Sequence, residues 1–162
     1  MRRKKVISAF MIRYNGDKLE FLLIKRAEMS YNWHWITGGV EKGEIRLEGA
    51  KRELREEIGY HPALIIPFSV PQELYKDLEE EDLNLWVKQG QSLRKLHNIM
   101  KKHKMYYFQI RIDELQDPIL DPTEHTDWKW CDYETACKSI MWLNEKKILT
   151  CVNNYLIENP LK

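Results

Sequence analysis

Apolar and turn-forming positions near the start of the chain predict a β-hairpin. Residues 6–12 and 19–25 are two mostly apolar runs. Residues 14–17 between them contain the Asn-Gly pair that favours a tight turn. We therefore expect two antiparallel strands at this end of the chain.

Residues 47–58 have the periodicity of an amphipathic helix. Their apolar positions recur three or four residues apart, which makes one stripe that can pack on a core. Gly59 follows this segment and is suited to end the helix. The stripe consists of Leu47, Ala50, Leu54 and Ile58.

Further apolar runs predict the rest of the fold. Strands are expected at residues 63–68, 105–112 and 128–131, and helices at 133–142 and 144–157. Strands before and after a central helix, followed by terminal helices, predict an α+β fold. In that fold the central helix packs against a mixed sheet.

A long charged insertion, residues 72–104, separates two of these strands. An insertion of this length indicates a lid, a homodimer contact or a mobile loop. Its acidic run, residues 79–82, is typical of a solvated face. Because no repeat or linker interrupts the chain, we expect residues 1–162 to form a single domain.

Composition narrows the class of protein. Hydrophobic residues make up 43% of the 162 residues and charged residues 31%, as in soluble globular proteins. The net charge of +1 argues against binding of long nucleic acid. No segment has the length of a membrane span, and the 3 scattered cysteines favour a reducing compartment. The expected location is the cytoplasm, with no membrane partner.

Three carboxylates share one face of the predicted central helix. Glu53, Glu56 and Glu57 lie at positions i, i+3 and i+4, where like charges repel unless a cation sits among them. Oxygen ligands of this kind suit a hard divalent ion, Mg²⁺ or Mn²⁺. Arg52 can pair with one carboxylate and hold its geometry. The segment therefore outlines a metal site.

The same segment resembles a known family signature. Gly38, Glu44 and the run 52–60, Arg-Glu-Leu-Arg-Glu-Glu-Ile-Gly-Tyr, match the Nudix box without a gap. This resemblance implies an α/β/α sandwich with the box helix packed on a mixed sheet. It also implies hydrolysis of a nucleoside diphosphate linked to another moiety.

The resemblance also implies roles for the box residues. Glu56 and Glu57 would be the chief metal ligands, and Glu53 would be a ligand or the general base. The Gly38 carbonyl would be a further ligand. Arg52 would orient the glutamates. Glu44 would be an outer member of the site on the substrate side.

A carboxylate far along the chain completes the expected catalytic set. The segment 122–130, Pro-Thr-Glu-His-Thr-Asp-Trp-Lys-Trp, is similar to one in Nudix enzymes related to dihydroneopterin triphosphate and dATP pyrophosphatases. The opening 37–44 of the box, with its threonine, also resembles that group. Glu124 would accept a proton from the attacking water and act as a metal ligand.

Substrate contacts are expected on the strand before the box. Arg26 either marks a strand end at the surface or contacts the phosphates, and the resemblance to the Nudix family favours the phosphate contact. Trp33 would stack on a base, whereas Trp35 is expected in the core. His34, between two tryptophans, is expected to be structural or to face solvent.

The resemblance leaves three main functions open, and removal of pyrophosphate from RNA 5′ ends is a further alternative that the near-neutral charge does not support. The first is Mg²⁺-dependent hydrolysis of dATP, another nucleoside triphosphate or dihydroneopterin triphosphate to monophosphate and pyrophosphate. The second is hydrolysis of a dinucleoside polyphosphate such as diadenosine tetraphosphate, with Tyr75 stacking on a base. The third is a non-catalytic nucleotide-binding module, which the complete set of box carboxylates disfavours.

Overall fold

One mixed β-sheet forms the middle of the molecule. The computed structural model describes residues 4–28, 33–62, 64–76, 78–112 and 117–160. Residues 31 and 32 of the aromatic segment and residue 63 of a predicted strand lie outside these ranges. The strands of the described residues are β1 (Lys4–Asn15), β2 (Lys18–Arg26), β3 (Trp33–His34), β4 (Ile36–Gly39), β5 (Ile65–Phe68), β6 (His103–Arg111) and β7 (His125–Cys131).

Strand β1 is the centre of the sheet. It pairs antiparallel with β2 and β4 and parallel with β6. Strand β5 pairs antiparallel with β6, while β3 and β7 both pair antiparallel with β2. The predicted hairpin of β1 and β2 is confirmed, and Gly16 at its turn has φ 62°.

Helices cover both faces of this sheet. The central helix packs on one face, and the two C-terminal helices pack on the other. The predicted α+β sandwich with a mixed sheet is therefore confirmed. The helices are α1 (Arg46–Ile58), α2 (Gln72–Lys76), α3 (Glu80–Lys88), α4 (Leu93–Lys102), α5 (Tyr133–Ser139) and α6 (Leu143–Glu158).

The mostly apolar run of β1 follows from this arrangement. Phe10 and Ile12 face the C-terminal helices, whereas Ile7, Ala9 and Met11 face α1. Successive side chains of a strand point to opposite faces, and both faces of this sheet are covered. All five side chains are consequently buried.

Helix α1 uses its apolar stripe as predicted. Ala50, Leu54 and Ile58 are fully buried against the sheet. Gly59 ends the helix in the left-handed conformation, with φ 70°, and its N–H donates to the carbonyl of Arg55. Glu53 and Glu57 lie at the border of this buried stripe, whereas Glu48 and Glu56 are exposed.

The charged insertion folds into three helices, α2 to α4, and packs against α6. The acidic run at its centre is only in part a solvated face. Glu79, Glu80 and Glu81 are exposed, but Asp82 is 1% exposed. The Asp82 carboxylate accepts hydrogen bonds from the backbone N–H groups of Leu143, at 2.7 Å, and Asn144, at 3.3 Å. It therefore satisfies the amino end of α6 and holds the insertion there.

No helix among the described residues has both the length and the apolar character needed to span a membrane.

Candidate active site

Arg52 organises the carboxylates of the box. Its Nε donates to Glu44 Oε1 at 3.0 Å, and its Nη1 donates to Glu53 Oε1 at 2.8 Å and to Glu56 Oε2 at 3.2 Å. Its Nη2 donates to the Gly39 carbonyl at 2.7 Å. One rigid guanidinium thus ties the helix to the loop that precedes it. The predicted orienting contacts of Arg52 are present.

Glu44 and Glu56 lie at the edge of this network. Both oxygens of Glu44 accept from Arg52, and Oε2 also accepts from the Glu41 N–H at 2.9 Å. The hydrogen bond from Arg52 is the main cause that lowers the pKa of Glu44. The Glu56 side chain is 57% exposed. Glu44 therefore braces the loop, and it lines neither of the cavities described below.

Glu53 and Glu57 form a coupled acidic pair one helical turn apart. Glu57 is 6% exposed, and burial raises the pKa of its carboxyl to about 9, with the charges of Glu53 and Glu124 adding to the shift. Burial also raises the pKa of Glu53. In its protonated form Glu57 donates a hydrogen bond to Glu53, because both carboxylates cannot ionise side by side without a cation.

Glu124 and His125 reach this pair from the start of β7. One ligand atom each of Glu57, Glu124 and His125 lies within 4.8 Å of the others. The Glu124 carbonyl accepts from the Ala27 N–H at 2.8 Å, which fixes the segment against the end of β2. The fold thus brings the predicted Glu124 to the box helix.

His125 was not predicted as a site residue. Its Nε2 lies 3.7 Å from Glu57 Oε2, and burial together with the charge of Arg26 lowers its pKa to about 4. The imidazole is therefore neutral and has a ring nitrogen free to act as an acceptor or ligand. Its position next to Glu124 in the chain was the available signal.

His34 is 4% exposed, so of the two predicted alternatives it is structural and does not face solvent. Arg26 Nε donates to His34 Nε2 at 3.1 Å, and the rings of His34 and His125 are 5.5 Å apart. Burial, followed by the charge of Arg26, holds the pKa of His34 well below its ordinary value. His34 therefore acts as a neutral acceptor that orients Arg26.

Two adjoining cavities open beside these residues. The first, of about 270 Å³, contains Glu57, Glu124 and His125. The second, of about 320 Å³, is mainly apolar and extends between the sheet, the insertion and α6. Both cavities are lined by Arg26, His34 and Thr37.

The aromatic residues of the pre-box segment are divided between core and cavity. Trp35 is a core residue as predicted, and it also lines the apolar cavity. Trp33 lines neither cavity, and the Lys129 Nζ lies 4.3 Å from its ring centroid. This placement gives no support to base stacking by Trp33. Tyr75 lines the apolar cavity, and its hydroxyl forms a 3.2 Å hydrogen bond with His103 Nδ1.

The family model for the NUDIX domain matches residues 4–150. The chain belongs to the Nudix family. Among solved structures, the Ap4A hydrolase of Caenorhabditis elegans, in a binary complex, has the same fold. Its TM-score is 0.68 at 21% identity, and the match covers 96% of this chain and 98% of that one.

Curated relatives match the chain over 55 to 148 residues. An RNA pyrophosphohydrolase of Nitratiruptor sp. is 43% identical over 59 residues, which are 36% of this chain and 38% of the relative. The dihydroneopterin triphosphate diphosphatase of Escherichia coli is 33% identical over 55 residues, 34% of this chain and 37% of the relative. The chain spans 16% and 38% of the length of the first two curated relatives that it matches.

The Nudix box and the β7 segment together fit a divalent cation. Glu57 Oε2 and His125 Nδ1 are buried and have no hydrogen-bond partner among the described residues. Unpaired acceptors are costly inside a protein, and several carboxylates at one point repel each other. A cation between Glu53, Glu57 and Glu124 would relieve the repulsion and give Glu57 Oε2 a partner.

Proposed function

We propose that this Nudix protein is a Mg²⁺- or Mn²⁺-dependent pyrophosphohydrolase. Its substrate would be a nucleoside or pterin triphosphate, and its products a monophosphate and pyrophosphate. The observation that carries the proposal is the meeting of Glu57, Glu124 and His125 in a cavity that continues through Arg26 into an apolar pocket. That arrangement offers one place for phosphates and another for a ring.

The carboxylates would hold the cation. Glu53, Glu57 and Glu124 would supply oxygens from two elements of the chain, with Glu56 at the exposed rim and the Gly38 carbonyl as a further candidate. When bound, a divalent cation neutralises the charge of a pyrophosphate group and increases the acidity of water there. Without it, these carboxylates would repel the substrate.

Each remaining residue of the site has a role that follows from its contacts. Arg26 is fixed by His34 at the junction of the two cavities, where its guanidinium can bind a phosphate. Arg52 keeps Glu53 in place without lining either cavity. Glu124 is exposed, so it can accept a proton from the attacking water and release it to solvent.

Dinucleoside polyphosphate hydrolysis is the second candidate. It is favoured by the position of Tyr75 in the wall of the apolar cavity, where an aromatic ring could contact a base. The two candidates differ in their products, because a tetraphosphate would release a nucleoside triphosphate.

The decisive experiment identifies products by chromatography. The protein is incubated with Mg²⁺ and, separately, with dATP, the other nucleoside triphosphates, dihydroneopterin triphosphate and diadenosine tetraphosphate. We expect monophosphate and pyrophosphate from at least one triphosphate, and no product when a chelator is added. ATP from the tetraphosphate, with triphosphates intact, would select the second candidate.

A matched pair of variants separates catalysis from binding. Glu57→Gln should lower kcat by about 10²-fold or more, since it removes a ligand of the expected cation. Glu48→Gln, on the exposed face of the same helix, should retain activity. If no substrate in the panel is cleaved, the hydrolase proposal fails and a non-catalytic nucleotide-binding module becomes the better description.

A further inference from the structure

The apolar cavity has the form of a ring-binding pocket. Its walls include Trp35, Trp86, Trp142 and Met105, and its volume of about 320 Å³ lies at the lower end of the range of small-ligand pockets. Because it shares Arg26 with the carboxylate cavity, a substrate with its phosphates at the carboxylates would place its ring here. Apolar walls favour a flat ring but do not distinguish one ring from another.

Most polar groups around the pocket already have partners. Both ends of the Asn144 amide are engaged, since its Oδ1 accepts from the Glu145 N–H at 2.9 Å and its Nδ2 donates to the Tyr75 carbonyl at 3.0 Å. The Trp35 Nε1 donates to Ser8 Oγ at 2.9 Å. These groups hold the walls together and are not available to a ligand.

Among the described residues, two buried atoms of the lining have no hydrogen-bond partner, His34 Nδ1 and Glu145 Oε2, and only Glu145 offers a carboxylate. An acceptor left unpaired beside apolar walls loses its hydration without compensation. A ligand that donates hydrogen bonds to Glu145 would supply what the protein does not.

We propose that Glu145 reads the ring edge of the substrate and selects rings with two adjacent N–H donors. An ionised carboxylate accepts at both oxygens and donates at neither. Guanine and 2-amino-4-oxopteridines share such an edge, formed by a ring N–H and the neighbouring amino group. This inference rests on the proposed function, because it places the substrate ring in the second of the two cavities.

Adenine would be rejected by the same carboxylate. Its corresponding edge offers one amino donor beside an unprotonated ring nitrogen, so one carboxylate oxygen would face a lone pair. Specificity arises when the wrong ligand leaves a buried polar group unpaired. The pocket would therefore discriminate by hydrogen bonding, since guanine and adenine have similar shapes.

Isothermal titration calorimetry with monophosphates tests this selection without any need for hydrolysis. GMP, dihydroneopterin monophosphate and AMP are titrated separately into the wild-type protein. We expect GMP, the pterin or both to bind at least about tenfold more tightly than AMP. The two donor-edge ligands show which source of this edge the pocket prefers. Equal affinity for AMP and both of these ligands would overturn the proposal.

Glu145→Gln provides the sharper test. A glutamine amide both donates and accepts, which matches the adenine edge, as amide side chains do in reading adenine in DNA. The GMP-to-AMP affinity ratio should fall at least about tenfold. Glu134→Gln, an exposed substitution on α5, should leave the ratio unchanged. A uniform loss for every ligand in Glu145→Gln would contradict a reading role.

The outcome is separable from that of the proposed function. A GMP preference in a protein that cleaves none of the triphosphates would refute the hydrolase and leave the ring selection standing. Cleavage of triphosphates with no preference between guanine, pterin and adenine rings would support the hydrolase and refute the ring selection.

Discussion

A Cβ atom added to Gly38 would lie 2.0 Å from the carboxyl carbon of Glu53. The end of β4 therefore lies so close to the Glu53 side chain that any larger residue at position 38 would displace this carboxylate. Gly38 has no need for an unusual backbone angle, because its φ is not positive. The close approach itself accounts for this glycine of the box.

Gly38→Ala should therefore displace the Glu53 carboxylate and lower kcat by about 10²-fold, as a shift of about 1 Å at a reacting site can do. Steady-state kinetics would measure the loss, with the substrate that the chromatographic product assay identifies. Gly39→Ala is the matched comparison, since its added Cβ would meet only the flexible end of Lys4, at 3.2 Å. A loss as large for Gly39→Ala would show that the close contact with Glu53 is not the cause.

Metal binding should be visible as a gain in stability. Mg²⁺ at about 100 times its Kd would stabilise the wild-type protein by about 2.7 kcal/mol, because it binds the folded state only. Glu57→Gln should lose most of this gain and should be about as stable as wild type in chelator, because its neutral amide can donate to Glu53 as the protonated carboxyl does. Thermal unfolding with and without Mg²⁺ measures both effects.

Glu48→Gln should show the full Mg²⁺ effect, because Glu48 is exposed on α1 and pairs with Lys51. A Mg²⁺ gain that survives in Glu57→Gln would place the cation elsewhere.

Asp82 should matter both to stability and to substrate binding. Asp82→Ala leaves the N–H groups of Leu143 and Asn144 without their acceptor, which should cost about 1–3 kcal/mol. Because these residues begin the helix that carries Glu145, KM should rise more than kcat falls. Denaturant unfolding and steady-state kinetics measure the two effects.

The control is Asp132→Ala, which removes a similar helix cap from Thr135 at the start of α5, outside both cavities. It should leave KM unchanged. An Asp82→Ala protein that is less stable but has a normal KM would show that the amino end of α6 does not position the pocket.

The ring preference should depend on pH. Burial, with a contribution from Asp82, raises the pKa of Glu145 to about 7, and Arg26 opposes the shift. Tyr75 and Tyr107 also face this carboxyl. Below this pKa the carboxyl holds a proton and can donate to adenine, whereas above it the carboxylate accepts from guanine.

The GMP-to-AMP affinity ratio should therefore increase as the pH rises from about 6 to about 8. The ratio cancels the titration of the phosphate, which both ligands share. Calorimetry across this range gives the ratio, and in Glu145→Gln it should be flat. A ratio that increases equally in that variant would assign the pH dependence to another group.

Local patterns predicted the framework of the site correctly. The stripe of α1, its end at Gly59 and the register of Glu53 and Glu57 depend only on residues within a few turns of each other. The hairpin of β1 and β2 likewise follows from neighbouring residues and a turn. Such features are set by the periodicity of helices and strands.

These local patterns could not predict contacts between segments that are distant in the sequence. Asp82 belongs to an acidic run that resembles a surface, and its burial depends on where α6 begins. His125 becomes part of the site because β7 pairs with β2 and meets the end of α1. Periodicity alone cannot tell Trp33 and Trp35 apart. Of the two, only Trp35 lines the cavity once β3 has paired with β2 and β4 with β1.

The sequence alone determined the family, the box helix and the carboxylates available for a cation, because residue identity and short-range spacing specify all three. Only the tertiary structure decided which acids meet, which histidine joins them and which carboxylate remains unpaired in the apolar pocket. The physical reason is that hydrogen bonding and burial depend on every segment packed around a group. Glu145 is one glutamate among many until α2, α6 and the sheet enclose it.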